Sequence, residues 1–281
     1  MNVQTLLLDS LNTRWDKYKT ELKTCRREFS EEAVHDFRIA ARRLLASLDL
    51  LRAVMQDPRI QKMRRVLKDQ LDDLDDLRDT QVLLADISET IHETPALQPF
   101  QEYLQRREKK LLRAARKEIK SLKVASLSKR IKKLNQTIEA FKQVDLEKLF
   151  SVVDETYAIV NQRYTLVDPS QPATIHRVRL AFKKFRYIVE AIYPILQDFP
   201  SDHLKRMRDY QASMGDIQDM EVALQGLANF GEQAPASYNP EPVRAYYIER
   251  HALALSRYIE DKGEALTFWR VAPDQPFPQE K

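Results

Sequence analysis

Residues 176–186 read His176-Arg177-Val178-Arg179-Leu180-Ala181-Phe182-Lys183-Lys184-Phe185-Arg186, and residues 35–43 read His35-Asp36-Phe37-Arg38-Ile39-Ala40-Ala41-Arg42-Arg43. Both follow His-x2-Arg-x3-basic-basic, displaced by 141 positions (176 − 35), half of the chain. At about 100° per residue on a helix, His35, Arg38 and Arg42 lie within roughly 60° of one another. By the same arithmetic His176, Arg179, Lys183 and Arg186 fit within about 80°. Phe37, Ala41, Leu44 and Leu48 fall on the opposite side, as do Val178, Phe182, Phe185 and Val189. Each stretch therefore predicts a helix that buries one face and aligns cations on the other, an arrangement suited to an anionic ligand.

A second marker repeats with nearly the same displacement. Leu74-x4-Asp79-x2-Val82-x-Leu84 parallels Met214-x4-Asp219-x2-Val222-x-Leu224, offset by 140 (214 − 74). Two markers that agree on the offset read as an internal duplication. The expected units run from about 1 to 124 and from about 140 to 265, each the size of a four-helix bundle. Apolar periodicity and proline breaks predict helices near 2–28, 31–56, 58–92 and 97–122, and a weaker one near 126–142. Four more are predicted near 145–166, 173–197, 201–230 and 241–262. Asp57 is placed to cap the third helix and Pro58 to occupy its first turn. Residues 266–281, with three prolines, are expected to form a disordered tail.

Composition narrows the chemistry. The chain has 281 residues and four glycines, none before Gly215. A phosphate-cradling glycine loop, a dinucleotide fingerprint and a G-x-S-x-G elbow are all excluded for want of glycine. Leu, Ala, Glu, Lys, Arg and Gln dominate, with few β-branched alternations, so the fold class is all-α. The single Cys25 has no internal disulfide partner, and no stretch is apolar enough for a membrane span or signal peptide. A cytoplasmic location is the expectation. The net charge is only +4, but it is sorted along the chain. Residues 69–93 hold nine acidic side chains against the lone Arg78, whereas residues 101–134 hold thirteen basic against three acidic. Such sorting can build a basic cavity into a nearly neutral protein.

A duplicated His-x2-Arg-x3-basic helix, each copy followed by a helix carrying L-x-D or L/M-G-D-x-x-D, resembles the conserved histidine α-helical domain, CHAD. The resemblance covers about residues 1–265. It implies two four-helix bundles related by pseudo-twofold symmetry, with a basic central cavity that binds inorganic polyphosphate. Many CHAD domains follow a CYTH catalytic domain with an E-x-E-x-K signature. That signature is absent from this sequence. The resemblance therefore implies a stand-alone, non-catalytic binder without a cofactor, associated with polyphosphate or its granules.

Polyphosphate offers repeated charge and nothing else to read, so its site needs rows of cations: arginine for forked hydrogen bonding, lysine for mobile charge. The candidates are His35, Arg38, Arg42 and Arg43, with His176, Arg179, Lys183, Lys184 and Arg186. Arg64, Arg65 and Lys68, with Lys205, Arg206 and Arg208, lie on the following helices. A further row (Arg106, Lys109, Lys110, Arg113 and Lys117) makes a continuous basic face, partly copied by Arg250 and Arg257. It is either additional binding surface or a solvated face. The histidines either donate to phosphate, or stay neutral on a hydrogen bond from the neighbouring bundle. Metal ligation is disfavoured because Arg177 stands where His35-Asp36 would require an acid. Asp75, Asp76, Asp79, Asp216 and Asp219 are expected to pair with arginines and orient them. Gly215 is replaced by Asp75 in the first copy, which alters local packing there. A phosphohydrolase or phosphotransferase acting on polyphosphate or nucleotides, and a helical nucleic-acid binder, are the alternatives. The first lacks a recognisable nucleophile or P-loop, and the second lacks aromatics interleaved with its cations.

Overall fold

The computed structural model describes residues 2–141, 146–272 and 274–278. Among these the regular structure is entirely helical. Ten α-helices follow in order: α1 Val3–Glu28, α2 Glu31–Val54, α3 Pro58–Asp72, α4 Asp75–Thr90, α5 Gln98–Ser121, α6 Val124–Ala140, α7 Leu146–Tyr164, α8 Pro172–Ile192, α9 His203–Gly231 and α10 Glu241–Asp261. Their starts carry the expected chemistry. Asn2 and Ser30 cap α1 and α2 by accepting from the amides of Thr5 and Ala33, and Asp57 accepts from Arg59 ahead of α3. The boundary between α1 and α2 is tight: Phe29 sits at φ 50°, a left-handed conformation held by burial of its ring. Positions 142 and 145, where the sequence reading ends one helix and begins the next, lie outside the described residues. So do 273 and 279–281 of the expected tail.

One predicted helix is two. The run expected over 58–92 breaks at Asp73–Leu74 into α3 and α4, whereas its counterpart α9 continues unbroken through Gly215. The expected tail is also corrected. Residues 262–267 form a short 3-10 helix, and Phe268 and Trp269 that follow are fully buried. Trp269 packs its ring against Phe150, Phe185, Phe199 and Phe277 and donates its Nε1–H to Asp154 at 2.7 Å. Prolines set the composition of this segment, but two large aromatics with a waiting apolar hollow decide its structure.

The faces of α2 and α8 divide as their spacing requires. Phe37, Ala41, Leu44 and Leu48, and Val178, Phe182, Phe185 and Val189, are all buried. A buried Phe stabilises by about 1.5–3 kcal/mol, so these stripes fix the rotation of both helices. The two helices also pack on each other, which brings their opposite, charged edges into one neighbourhood. The buried side chains do not separate at the half-chain boundary. A large cluster joins α1–α3 and α6–α8 with the first part of α9. A smaller one takes Leu83 and Ile87 from α4, Phe100 and Leu104 from α5, Met220, Leu227 and Phe230 from α9, and Val243 and Tyr247 from α10. Both clusters thus draw side chains from both halves of the chain.

Candidate functional site

Between the charged edges of α2 and α8, floored by α4 and α9, lies a cavity of about 670 Å³. His35, Arg38, Ile39 and Arg42 come to it from α2, and His176, Arg179, Leu180, Lys183 and Arg186 from α8. Arg78 and Asp79 from α4 and Arg208, Gln218 and Asp219 from α9 also line it, with Asp75. A second cavity of about 550 Å³ shares Arg42, Asp75, Leu180, Lys183 and Tyr187 with the first, and adds Arg64, Lys68 and Lys184. The two cavities therefore adjoin at these shared residues. Along α8 alone, His176 to Lys184 spans about 12 Å at 1.5 Å per residue.

The lining cations differ in how they are satisfied. Arg38 is almost fully buried; it donates to the Leu71 carbonyl at 2.9 Å and pairs closely with Asp75. Arg42 lies 3.7 Å from the same carboxylate. Arg186 pairs with Glu190, donates to Gln211 at 2.9 Å and lies over the Tyr187 ring. Arg78 donates to Glu31 at 2.7 Å. The Arg179 Nε, by contrast, is buried without a hydrogen-bond partner, as is Nδ1 of His176. The asparate pairing expected from sequence thus occurs at Asp75, and also at Asp76 with Arg107.

Crowding of like charge in a partly desolvated space moves the titrations. Burial, then the Arg42, Arg179 and Arg38 guanidinia, lower Lys183 from 10.5 to about 6. Burial and Arg38 lower Arg42 to about 10. His35 is pushed down by burial and by Arg78. Burial also pushes Asp219 up to about 6, against the pull of Arg179. Burial and neighbouring guanidinia therefore disfavour the charged form of Lys183 in particular.

Other predicted residues fall elsewhere. Arg43 turns to Glu190, 3.6 Å away, and does not line the cavity. Arg64 lines the second cavity while paired with Asp49. Arg65 and Lys205 are exposed and line neither. Arg106, Lys110 and Arg113 are exposed on α5 and belong to neither lining. Arg250 is taken up by Asp86 through two bonds of 2.6 and 2.7 Å and lies over Tyr246. Sequence reasoning missed Arg78 and Gln218. Both were accessible through the 140-residue offset (218 − 78), which pairs them as it pairs Asp79 with Asp219. Among the described residues no group of three or more His, Cys, Asp or Glu stands in metal-binding arrangement, and no helix is long and apolar enough to cross a membrane.

An all-helical chain with this packing has solved counterparts. The structure is similar to the CHAD domain from the plant Ricinus communis, with a TM-score of 0.69 and 18% identity over 99% of this chain and 93% of that one. It is also similar to PptA from Streptomyces chartreusis, with a TM-score of 0.62 and 16% identity over 94% of this chain and 98% of that one. At such identities the likeness speaks for the fold. The family model for the CHAD domain matches residues 10–228, and the chain belongs to that family. Comparison with curated proteins finds no match.

Proposed function

We propose that this protein is a non-catalytic binder of inorganic polyphosphate, and that the cavity between α2 and α8 is its binding site. The observation that carries the reading is the balance of the cavity wall. Seven Lys or Arg side chains and two histidines line it against three aspartates, and two of the lining residues, Arg179 and His176, each keep a buried ring or guanidinium nitrogen without a hydrogen-bond partner. Guanidinium forks fit phosphate oxygens, and a confined site strengthens each contact relative to open water. The cations that α8 presents to the two adjoining cavities, from His176 to Lys184, suit a linear chain rather than a single ion. The paired lining positions, from His35 with His176 to Arg42 with Lys183, support a pseudo-symmetric origin of the two halves. The same reading places the protein in the cytoplasm, at polyphosphate deposits.

The test is direct titration with long-chain polyphosphate at two salt concentrations, for wild type and for Arg179→Ala. Wild type should bind, more weakly at higher salt because bound cations are released, and the variant should lose affinity. No binding by wild type, or equal affinity in both proteins, overturns the proposal. Release of orthophosphate during the titration would favour a hydrolase instead. Nucleic acid that resists displacement by polyphosphate would favour a nucleic-acid binder.

A further inference from the structure

Resting on that reading, we propose that Asp75 is a built-in competitor for the bound phosphate chain. Its carboxylate occupies the Arg38 and Arg42 side of the cavity, so that a chain docks first at Arg179 and Lys183. The chain must then displace Asp75 to reach the other wall.

Asp75 and Gly215 follow Leu74 and Met214, the residues that open the duplicated acidic marker. Arg38 and Arg179 are the corresponding arginines of α2 and α8. On the first side the pair is closed: Arg38 holds Asp75, and Arg42 approaches the same oxygen. On the second side no carboxylate can come from Gly215, and Arg179 keeps a buried Nε unpartnered. A Cβ built at Gly215 would lie 3.8 Å from both Nε and Nη2 of Arg179. A Cβ there would make ordinary van der Waals contact with the guanidinium, and the sequence leaves it out. Asp75 is also fit to leave. Its side chain is 52% exposed whereas that of Arg38 is 3% exposed, and it is the first residue of α4, directly after the Asp73–Leu74 break. A carboxylate at a helix start can swing to solvent without unwinding a turn, while Arg38 stays anchored by the Leu71 carbonyl.

The consequence is discrimination by length. One phosphate can satisfy Arg179 and His176 without touching Asp75. A chain long enough to cross from α8 to α2 competes with the carboxylate directly.

Asp75→Asn keeps the shape and removes the charge; Gly215→Asp adds the missing carboxylate to the other side. Both are compared with wild type by titration with orthophosphate and with long-chain polyphosphate over a salt series, after thermal melts confirm folding. Asp75→Asn should tighten polyphosphate about tenfold, equivalent to about 1.4 kcal/mol. It should also steepen the salt dependence by about one released counterion and change orthophosphate binding less than twofold (roughly 0.4 kcal/mol). Gly215→Asp should weaken both ligands. Polyphosphate affinity and salt slope unchanged or reduced in a folded Asp75→Asn overturn the competitor role while leaving the polyphosphate reading intact, because wild type still binds. If all three folded proteins fail to bind polyphosphate, the underlying reading falls and the competitor role with it. Should Gly215→Asp fail to fold, Asp75→Asn decides alone.

Discussion

The two halves of this chain present the same row of residues and use them differently. In the first, Arg38 is buried against a carboxylate and a backbone carbonyl and behaves as part of the scaffold. In the second, Arg179 has the same place on its helix and no such partner. The halves also close differently. Helix α6 covers the first with Leu127, Ile131, Leu134 and Ile138, whereas the second is closed by the aromatic segment around Phe268 and Trp269. Repetition of a motif therefore does not imply repetition of surroundings: where the first copy has Asp75 paired with its arginine, the second has Gly215 and an arginine without that carboxylate.

The comparison can be broken most forcefully at the closing elements. Trp269→Ala should lower unfolding free energy by about 3–5 kcal/mol, read by chemical denaturation; a loss below 1 kcal/mol would mean the aromatic segment does not seal the second half. Next comes the ligand side. Arg179→Ala should cost about 1.5–3 kcal/mol of phosphate binding, or roughly 10–100-fold in Kd. Its unfolding free energy should stay within about 0.5 kcal/mol of wild type. Arg38→Ala acts on the scaffold as well. It should lower stability by about 1–3 kcal/mol through loss of the Leu71 and Asp75 contacts, and denaturation beside titration of the two variants reads the contrast. Equal behaviour of both variants would mean that the two arginines play one role.

A smaller effect concerns pH. Lys183 faces Arg38, Arg42 and His35 from α2, Arg179 from its own helix, Asp75 and Asp79 from α4, and Arg208 and Asp219 from α9. Its folded value near 6 lies below its ordinary 10.5, so the unfolded chain carries the extra proton between those limits. Stability contributed by this group accordingly rises with pH across that window, and its charging penalty is complete below about 6. A bound polyanion reverses the preference. Binding should take up protons and tighten from pH 9 towards pH 6, and Lys183→Met should flatten that slope in calorimetry run in buffers of different ionisation heat. Least affected is the outer face: replacing Arg106, Lys110 and Arg113 together by Ala should change affinity less than about twofold, because solvent screens charges beyond roughly 8–10 Å.

Much of this was legible in the sequence. Period and proline breaks located the helices, and the apolar stripe of Phe37 to Leu48 fixed which side of α2 faces inward. The His-x2-Arg row then had to lie opposite. What sequence alone did not give were choices made by tertiary context. The Asp73–Leu74 break is invisible to periodicity because Leu71, Leu74 and Leu77 keep helical spacing across it. Arg43 belongs to the same basic row as Arg42, yet Glu190 of α8 draws it aside. Trp269 looked like part of a proline-rich end because its partners, Phe150, Phe185 and Phe199, are distant along the chain.

The smaller apolar cluster has a consequence for how such a chain is built. Phe100 and Leu83 meet Phe230, Leu227 and Tyr247 in one core, so neither half covers its own oily surface. Each stands to the other as one subunit of a permanent dimer stands to its mate. A half-length piece made by itself would be sticky and would seek a second copy or its missing complement. Cut near the middle, the chain should hold together as two tightly associated fragments. The covalent link between the halves then serves mainly to guarantee that two unlike walls, one closed by Asp75 and one open at Arg179, always face each other.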